Sequence, residues 1–212
     1  MTVVVYVHGL WMGGQEGFLL RHRLGRALDA ETRSFTYSSK RATIADTALA
    51  LGDYLTMIRT DTLHLVAHSL GGLVVLQLFE SHDSADRLRL PAGRIVLLGS
   101  PVRGSRSAER LARLPFGRAL LGRAGQGLLG TRERRWDGPR ELGTLAGDLS
   151  IGAGRLLGSL DAPNDGTVLV EETCLPGAAD QLTLRVSHTG LPYAVSAAEQ
   201  TAAFLNTGRF RR

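Results

Sequence analysis

The chain has one cysteine and one lysine in 212 residues, and each scarcity excludes something. With Cys174 alone, no intramolecular disulfide and no cysteine-built metal site can form. With Lys40 alone, 24 of the 25 basic residues are arginine, a bias that reflects genome composition as readily as function. Long apolar runs are missing too. The segment LGGLVVLQLF, residues 70–79, falls well short of the roughly 18 residues that span a bilayer, so no transmembrane segment is expected. The opening residues, MTVVVYVHGLWM, carry neither a positively charged lead nor a small-residue cleavage site, so no signal peptide is read there. A soluble, cytoplasmic protein is the expectation. The formal charge of +5 comes without a helix-turn-helix, a zinc finger or an aromatic RNA-binding signature. It is also local: between positions 101 and 135 nine arginines stand against Glu109 and Glu133, a net of +7, which leaves 16 basic and 18 acidic residues elsewhere. No nucleic-acid partner is expected.

A hydrophobic fraction of 43% over this length suits one domain, residues 1–212, with a sizeable core. Six segments read as short buried strands: TVVVYVH from position 2, TRSFTYS from 32, TLHLVAH from 62, RIVLLGS from 94, ELGTLAG from 141 and QLTLRVS from 181. They are rich in β-branched residues and leucine and lack clean alternation, as strands do when helices cover both faces of a parallel sheet. Helical patterns lie between them at 16–30, 44–59, 70–81 and 193–206, and Thr43 with Asp46 reads as a capping arrangement ahead of the second. The expected fold class is α/β, a doubly wound, mainly parallel six-stranded sheet, with its ligand crevice at the carboxyl ends of the strands. Residues 101–139 break the alternation. Rich in Arg, Gly and Leu, they predict one or two short helices with glycine breaks, inserted as a lid or cap.

The chemistry concentrates in Ala67-His68-Ser69-Leu70-Gly71-Gly72, between a β-type run and a helical one. A serine lifted above a sheet edge on a tight strand-to-helix turn needs very small neighbours two positions either side, and Ala67 and Gly71 meet that demand. A second signal ends the first strand, His8-Gly9-Leu10-Trp11-Met12. An acyl-transfer site requires two backbone N–H donors for the oxyanion, and Leu10 and Leu70 are the expected pair. Trp11 and Met12 are expected to bind substrate, with contact to the lid as the other reading, and His8 to brace the loop. Among the remaining histidines His188, just after the last strand in Ser187-His188-Thr189-Gly190, reaches the edge where Ser69 sits. His22 and His64 lie within a helix and a strand, His82 at the far end of a helix, and His68 adjoins the serine but points elsewhere. For the acid that orients His188, Asp165 in Pro163-Asn164-Asp165-Gly166-Thr167 leads, and Asp148, directly at the end of the fifth strand, is the rival.

The order Ser69, Asp165, His188, with the motifs HGLW, AHSLGG, LLGSPVRGS (97–105), NDGTV and SHTGL, resembles the α/β-hydrolase superfamily. Within it the motifs look like the compact bacterial lipases and the GPI-inositol-deacylase-like hydrolases. The resemblance implies hydrolysis of small-molecule or lipid carboxylic esters, often acyl esters, without a cofactor or metal. Acyl transfer or thioester hydrolysis on the same three residues, and a non-catalytic binding module of this fold, are the alternatives. In the insertion Leu111, Leu114, Phe116, Leu120 and Leu121 alternate with Arg110, Arg113, Arg118 and Arg123. Helical spacing predicts partial segregation of the two sets. That fits either a fixed arginine-coated cap or a mobile lid in transient contact with an anionic lipid surface.

Overall fold

The computed structural model describes residues 1–80, 88–152, 160 and 163–212. Six strands, β1 (Thr2–Val7), β2 (Glu31–Phe35), β3 (Thr62–His68), β4 (Ile95–Leu98), β5 (Leu142–Gly147) and β6 (Asp180–Leu184), form one sheet in the order β2-β1-β3-β4-β5-β6. Every neighbouring pair is parallel. The sheet is thus wholly parallel where the sequence predicts mainly parallel pairing.

The missing alternation in the strand sequences has a direct cause. Val3, Val5 and Val7 of β1 enter one core with Leu63, Leu65 and Ala67 of β3, beneath α2 (Ile44–Thr56) and α3 (Leu70–Glu80). Val4 and Tyr6 point the opposite way into a second core with Val66, Val96 and Leu145. That core lies beneath α1 (Phe18–Leu28) and the last helix (Val195–Thr207). Both faces are dry, and each fully buried valine or leucine contributes about 1.5–3 kcal/mol by leaving water. The capping box before α2 forms: Thr43 Oγ1 accepts from the Asp46 amide at 3.1 Å, and Asp46 Oδ2 accepts from the Thr43 amide at 3.1 Å. Ser81 and His82, at the end of the third helical pattern, lie outside the described residues.

Residues 101–139 follow β4 and contain two short helices, α4 (Arg106–Arg113) and α5 (Gly117–Gly125), then a 3₁₀ turn (Gln126–Leu128). The last helix (Val195–Thr207) is accordingly α6. The insertion is fastened to the body at several points. Leu121, Ala124 and Leu128 pack with Leu70 and Leu73 of α3. The amides of Arg123 and Ala124 donate to the carbonyls of Lys40 and Ser39. At Gly122, where φ is +67°, a Cβ would come within 2.6 Å of Lys40 Cα, so this kink in α5 admits only glycine. The expected segregation of leucine from arginine is incomplete. Leu121 is buried, but Leu114 and Phe116 occupy the turn between α4 and α5 and are exposed, Phe116 by 84%. A turn has no face to turn inward.

At the opposite end of the sheet His64 in β3 is structural, as its place in the strand predicts. Its Nδ1 accepts from the Arg94 amide at 3.0 Å. Burial, and then the guanidinium charges of Arg94 and Arg140, push its pKa down to about 4. The unfolded chain takes up this proton near pH 6.5 and the folded one only near pH 4, so stability is intact above pH 6.5 and falls as pH drops between them. The expected loss is about 2 kcal/mol after allowance for solvent screening. His64→Asn, which keeps an acceptor but does not titrate, should lose visibly less stability than the wild type when denaturant midpoints at pH 7 and pH 4 are compared. Equal acid losses would remove His64 as a source.

Candidate active site

The strand register aligns Val7 with Ala67, His68 with Leu98, and Leu98 with Leu145, so the loops that follow β1, β3, β4 and β5 leave the sheet along one carboxyl edge. Successive connections run in opposite directions from β1 and β3, which places the crevice of a doubly wound sheet between these two strands. Ser69 and the His8–Met12 loop sit there.

Ser69 joins β3 directly to α3 with φ at +52°, in the left-handed region that costs a non-glycine residue about 1–3 kcal/mol. The turn is held by surrounding contacts. The Ser69 amide donates to the Leu98 carbonyl at 2.9 Å, and the Gly72 amide donates to the Ser69 carbonyl at 3.0 Å. The demand for small neighbours is visible: a Cβ on Gly71 would stand 2.4 Å from the Val7 carbonyl oxygen and 2.6 Å from that of His8. Across the crevice, a Cβ on Gly9 would stand 3.1 Å from Ser69 Cβ. Both glycines let the first loop close against the serine.

His188 is buried, with Nε2 3.0 Å from Ser69 Oγ and Nδ1 2.7 Å from Asp165 Oδ2. Asp165 is 1% exposed, and its other oxygen accepts from the amides of Thr167 at 2.9 Å and Val168 at 2.7 Å. With one oxygen saturated by backbone N–H groups, the second faces the imidazole. The His188 amide also donates to the Asp165 carbonyl at 2.8 Å. Asp165 lies over the end of β5, since a Cβ on Gly147 would come within 2.9 Å of its Cβ. The rival, Asp148, pairs instead with Arg185 at 3.9 Å. The structure therefore brings Ser69, His188 and Asp165 into one hydrogen-bonded line and leaves Asp148 out of it.

His8 braces its loop as expected. Its Nδ1 donates to the Gly9 carbonyl at 2.8 Å, its Nε2 accepts from the Tyr37 amide at 3.1 Å, and its ring stacks on Tyr37 at 4.2 Å. Leu70 opens α3, so its N–H has no acceptor within the helix. The Leu10 side chain packs with the insertion. Trp11, with φ at +60°, donates its indole N–H to the Leu120 carbonyl at 2.8 Å while staying 57% exposed; this is the contact to the insertion that the sequence reading sets beside substrate binding. Met12 is half-buried, and His22 is exposed, its ring stacked with Phe18 at 6.3 Å. His68 adjoins Ser69 and is fully buried against His188. Sequence reasoning missed this contact, and Glu172 as well. The buried Glu172 carboxylate accepts from the Arg106 amide at 2.7 Å and from the Leu169 amide at 2.9 Å, tying the start of α4 to the loop that carries Asp165. Among the described residues no three His, Cys, Asp or Glu side chains converge to hold a metal ion, and no helix is long and apolar enough to cross a membrane.

Comparison with known proteins agrees with this architecture. The mature lipase BlEst2 of Bacillus licheniformis superposes with a TM-score of 0.76 at 18% identity, over 99% of this chain and 92% of that one. A metagenomic carboxyl esterase, MGS0156, gives 0.63 at 23% identity, over 90% of this chain and 65% of that one. RedJ, a thioesterase of the prodiginine pathway in Streptomyces coelicolor, gives 0.60 at 15% identity, over 97% and 89%. At these identities the likeness is one of fold. No curated protein matches the chain. The model of the alpha/beta hydrolase family matches residues 4–204, from the first strand through the last helix and so across the whole hydrogen-bonded line. A serine on a left-handed turn at the switch point of a parallel sheet, within a match of that extent, makes this chain a member of the alpha/beta hydrolase family.

Proposed function

We propose that the chain hydrolyses carboxylic esters through an acyl-enzyme on Ser69. The observation that carries this reading is the unbroken line from Asp165 Oδ2 through His188 to Ser69 Oγ. With Nδ1–H donated to Asp165, His188 Nε2 is free to accept the Ser69 proton as Oγ attacks the ester carbonyl. The amides of Leu10 and Leu70 stabilise the oxyanion, helped by the positive end of α3. His188 then protonates the leaving alkoxide, and the acyl group rests on Ser69. A water then attacks the acyl carbon as His188 takes its proton, and the second tetrahedral intermediate collapses as His188 returns that proton to Ser69 Oγ, releasing the acid. No step calls for a cofactor. The acyl chain runs past Trp11 and Met12 beneath the insertion, which acts as a cap. The exposed Leu114, Phe116 and Leu120, flanked by Arg113 and Arg118, suit contact with an anionic lipid surface.

One experiment covers these points. A fluorophosphonate should label wild-type protein but not Ser69→Ala, and p-nitrophenyl esters from acetate to palmitate should be turned over without an alcohol or CoA acceptor. A strict need for such an acceptor would turn the reading to acyl transfer, and a preference for thioesters over matched oxygen esters would turn it to a thioesterase. Long-chain esters presented in anionic vesicles should be hydrolysed faster than in zwitterionic ones. The advantage should fade as salt rises from 0.1 to 1 M, where the Debye length shrinks from about 10 to about 3 Å. Equal rates on the two vesicle types would limit the enzyme to soluble esters.

A further inference from the structure

Of the residues around the base, His68 has a place that the proposed cycle leaves unused. It ends β3, immediately before Ser69, and is fully buried. Its Nε2 lies 3.1 Å from the His188 carbonyl oxygen, so the N–H donates and the ring is the neutral Nε2–H form. The two imidazole rings lie 4.9 Å apart at 39°. His68 Nδ1 has no hydrogen-bond partner among the described residues and faces Gly9, where a Cβ would approach it to 3.2 Å. A side chain present only to fill this space would be apolar, because an unpaired buried nitrogen costs about 1–3 kcal/mol.

We propose that His68 is a positioning residue that fixes the base relative to the nucleophile through its hydrogen bond to the His188 carbonyl. The inference rests on the reading of His188 as base. His188 is fastened through its amide and its Nδ1, and both fastenings lead to Asp165. Its carbonyl takes a long 3.4 Å contact from the Leu191 amide, within its own loop. The bond from His68 is different in kind, because it leads to β3, the strand that presents Ser69. It therefore sets the separation of base and nucleophile without drawing on the reacting hydrogen bond between them. The ring is also suited to stand beside an imidazolium. Burial first, and then the neighbouring His188 and His8, push its pKa down to about 3, so it stays neutral while His188 is charged during turnover. Among the described residues, the titratable groups that act on its charge are those two histidines.

Without this bond the His188 loop can drift, and a misplacement of about 1 Å costs on the order of 10²-fold in rate. His68→Leu should lower kcat on p-nitrophenyl butyrate by about 10- to 100-fold and leave KM within about twofold. His68→Gln, whose carboxamide N–H can reach the position of Nε2, should recover kcat to within about fivefold of wild type while His68→Leu does not. A folded His68→Leu with wild-type kcat, or a His68→Gln as slow as His68→Leu, overturns the proposal. Should the leucine variant fail to fold, nitrogen NMR of wild-type protein labelled at histidine decides. An Nε2–H tautomer on His68 that persists from pH 7 to pH 5 is expected, and an Nδ1–H tautomer overturns the proposal. His188→Ala separates the two levels: if it stays active the base assignment fails, whereas an inactive His188→Ala beside a fully active His68→Leu removes only the positioning role.

Discussion

Ser69→Ala and His188→Ala are each expected to lower kcat by about 10³-fold or more, and the double variant to be scarcely slower than the worse single. The reason lies in the 3.0 Å bond between them. In the proposed cycle the serine is a weak nucleophile without its base, and the base has nothing to activate without the serine, so the second loss removes a partnership already broken. On the proposed cycle, what remains in either variant is the background contributed by the oxyanion amides and substrate binding. Steady-state kinetics on a short p-nitrophenyl ester, with burst titration to count active sites, gives the comparison. Independent, additive losses would show that the two residues do not act as a unit and that another group serves as base.

Asp165→Asn should cost about 10²- to 10⁴-fold in kcat with little change in fold. An asparagine can keep its oxygen on the Thr167 and Val168 amides, where Asp165 Oδ1 is held. Its NH₂ then faces His188 Nδ1 and can only donate. The imidazole must answer with the opposite tautomer, placing a proton on Nε2 where Ser69 needs an acceptor. The charge that stabilises the imidazolium is gone as well. Asp148→Asn should be nearly silent, since its partner is Arg185 on the surface. A severe Asp148→Asn beside a mild Asp165→Asn would exchange their roles.

The contrast between these aspartates shows where sequence reading succeeds and where it stops. Strands buried on both faces announce themselves through composition, so β1, β3, β4 and β5 are legible, and with them the edge that bears Ser69. The serine turn is legible because its steric demand falls on positions two residues away, where Ala67 and Gly71 stand. The choice of acid is harder, because Asp148 ends β5 in sequence while Asp165, 18 positions past Gly147, lies over that end in space. The turn sequence favours Asp165, and the 2.7 Å contact of its Oδ2 with His188 Nδ1 decides it. The bond from His68 to His188 joins residues 120 apart and leaves no periodic or local trace. The exposure of Phe116 escapes for a related reason: a helical pattern read across residues 110–123 hides the turn that the left-handed Phe116 makes between two shorter helices.

The left-handed backbone at Ser69 sets two selective demands against each other. Nearly any other requirement on this position, for burial, helix initiation or chain reversal, is met as well or better by glycine, which adopts that conformation without strain. A lineage selected for stability alone would therefore drift toward glycine here and lose the proposed nucleophile. On the proposed reading of Ser69 as nucleophile, its strained backbone is tolerated for that use, and the stability it forgoes is open to any variant that abandons the chemistry.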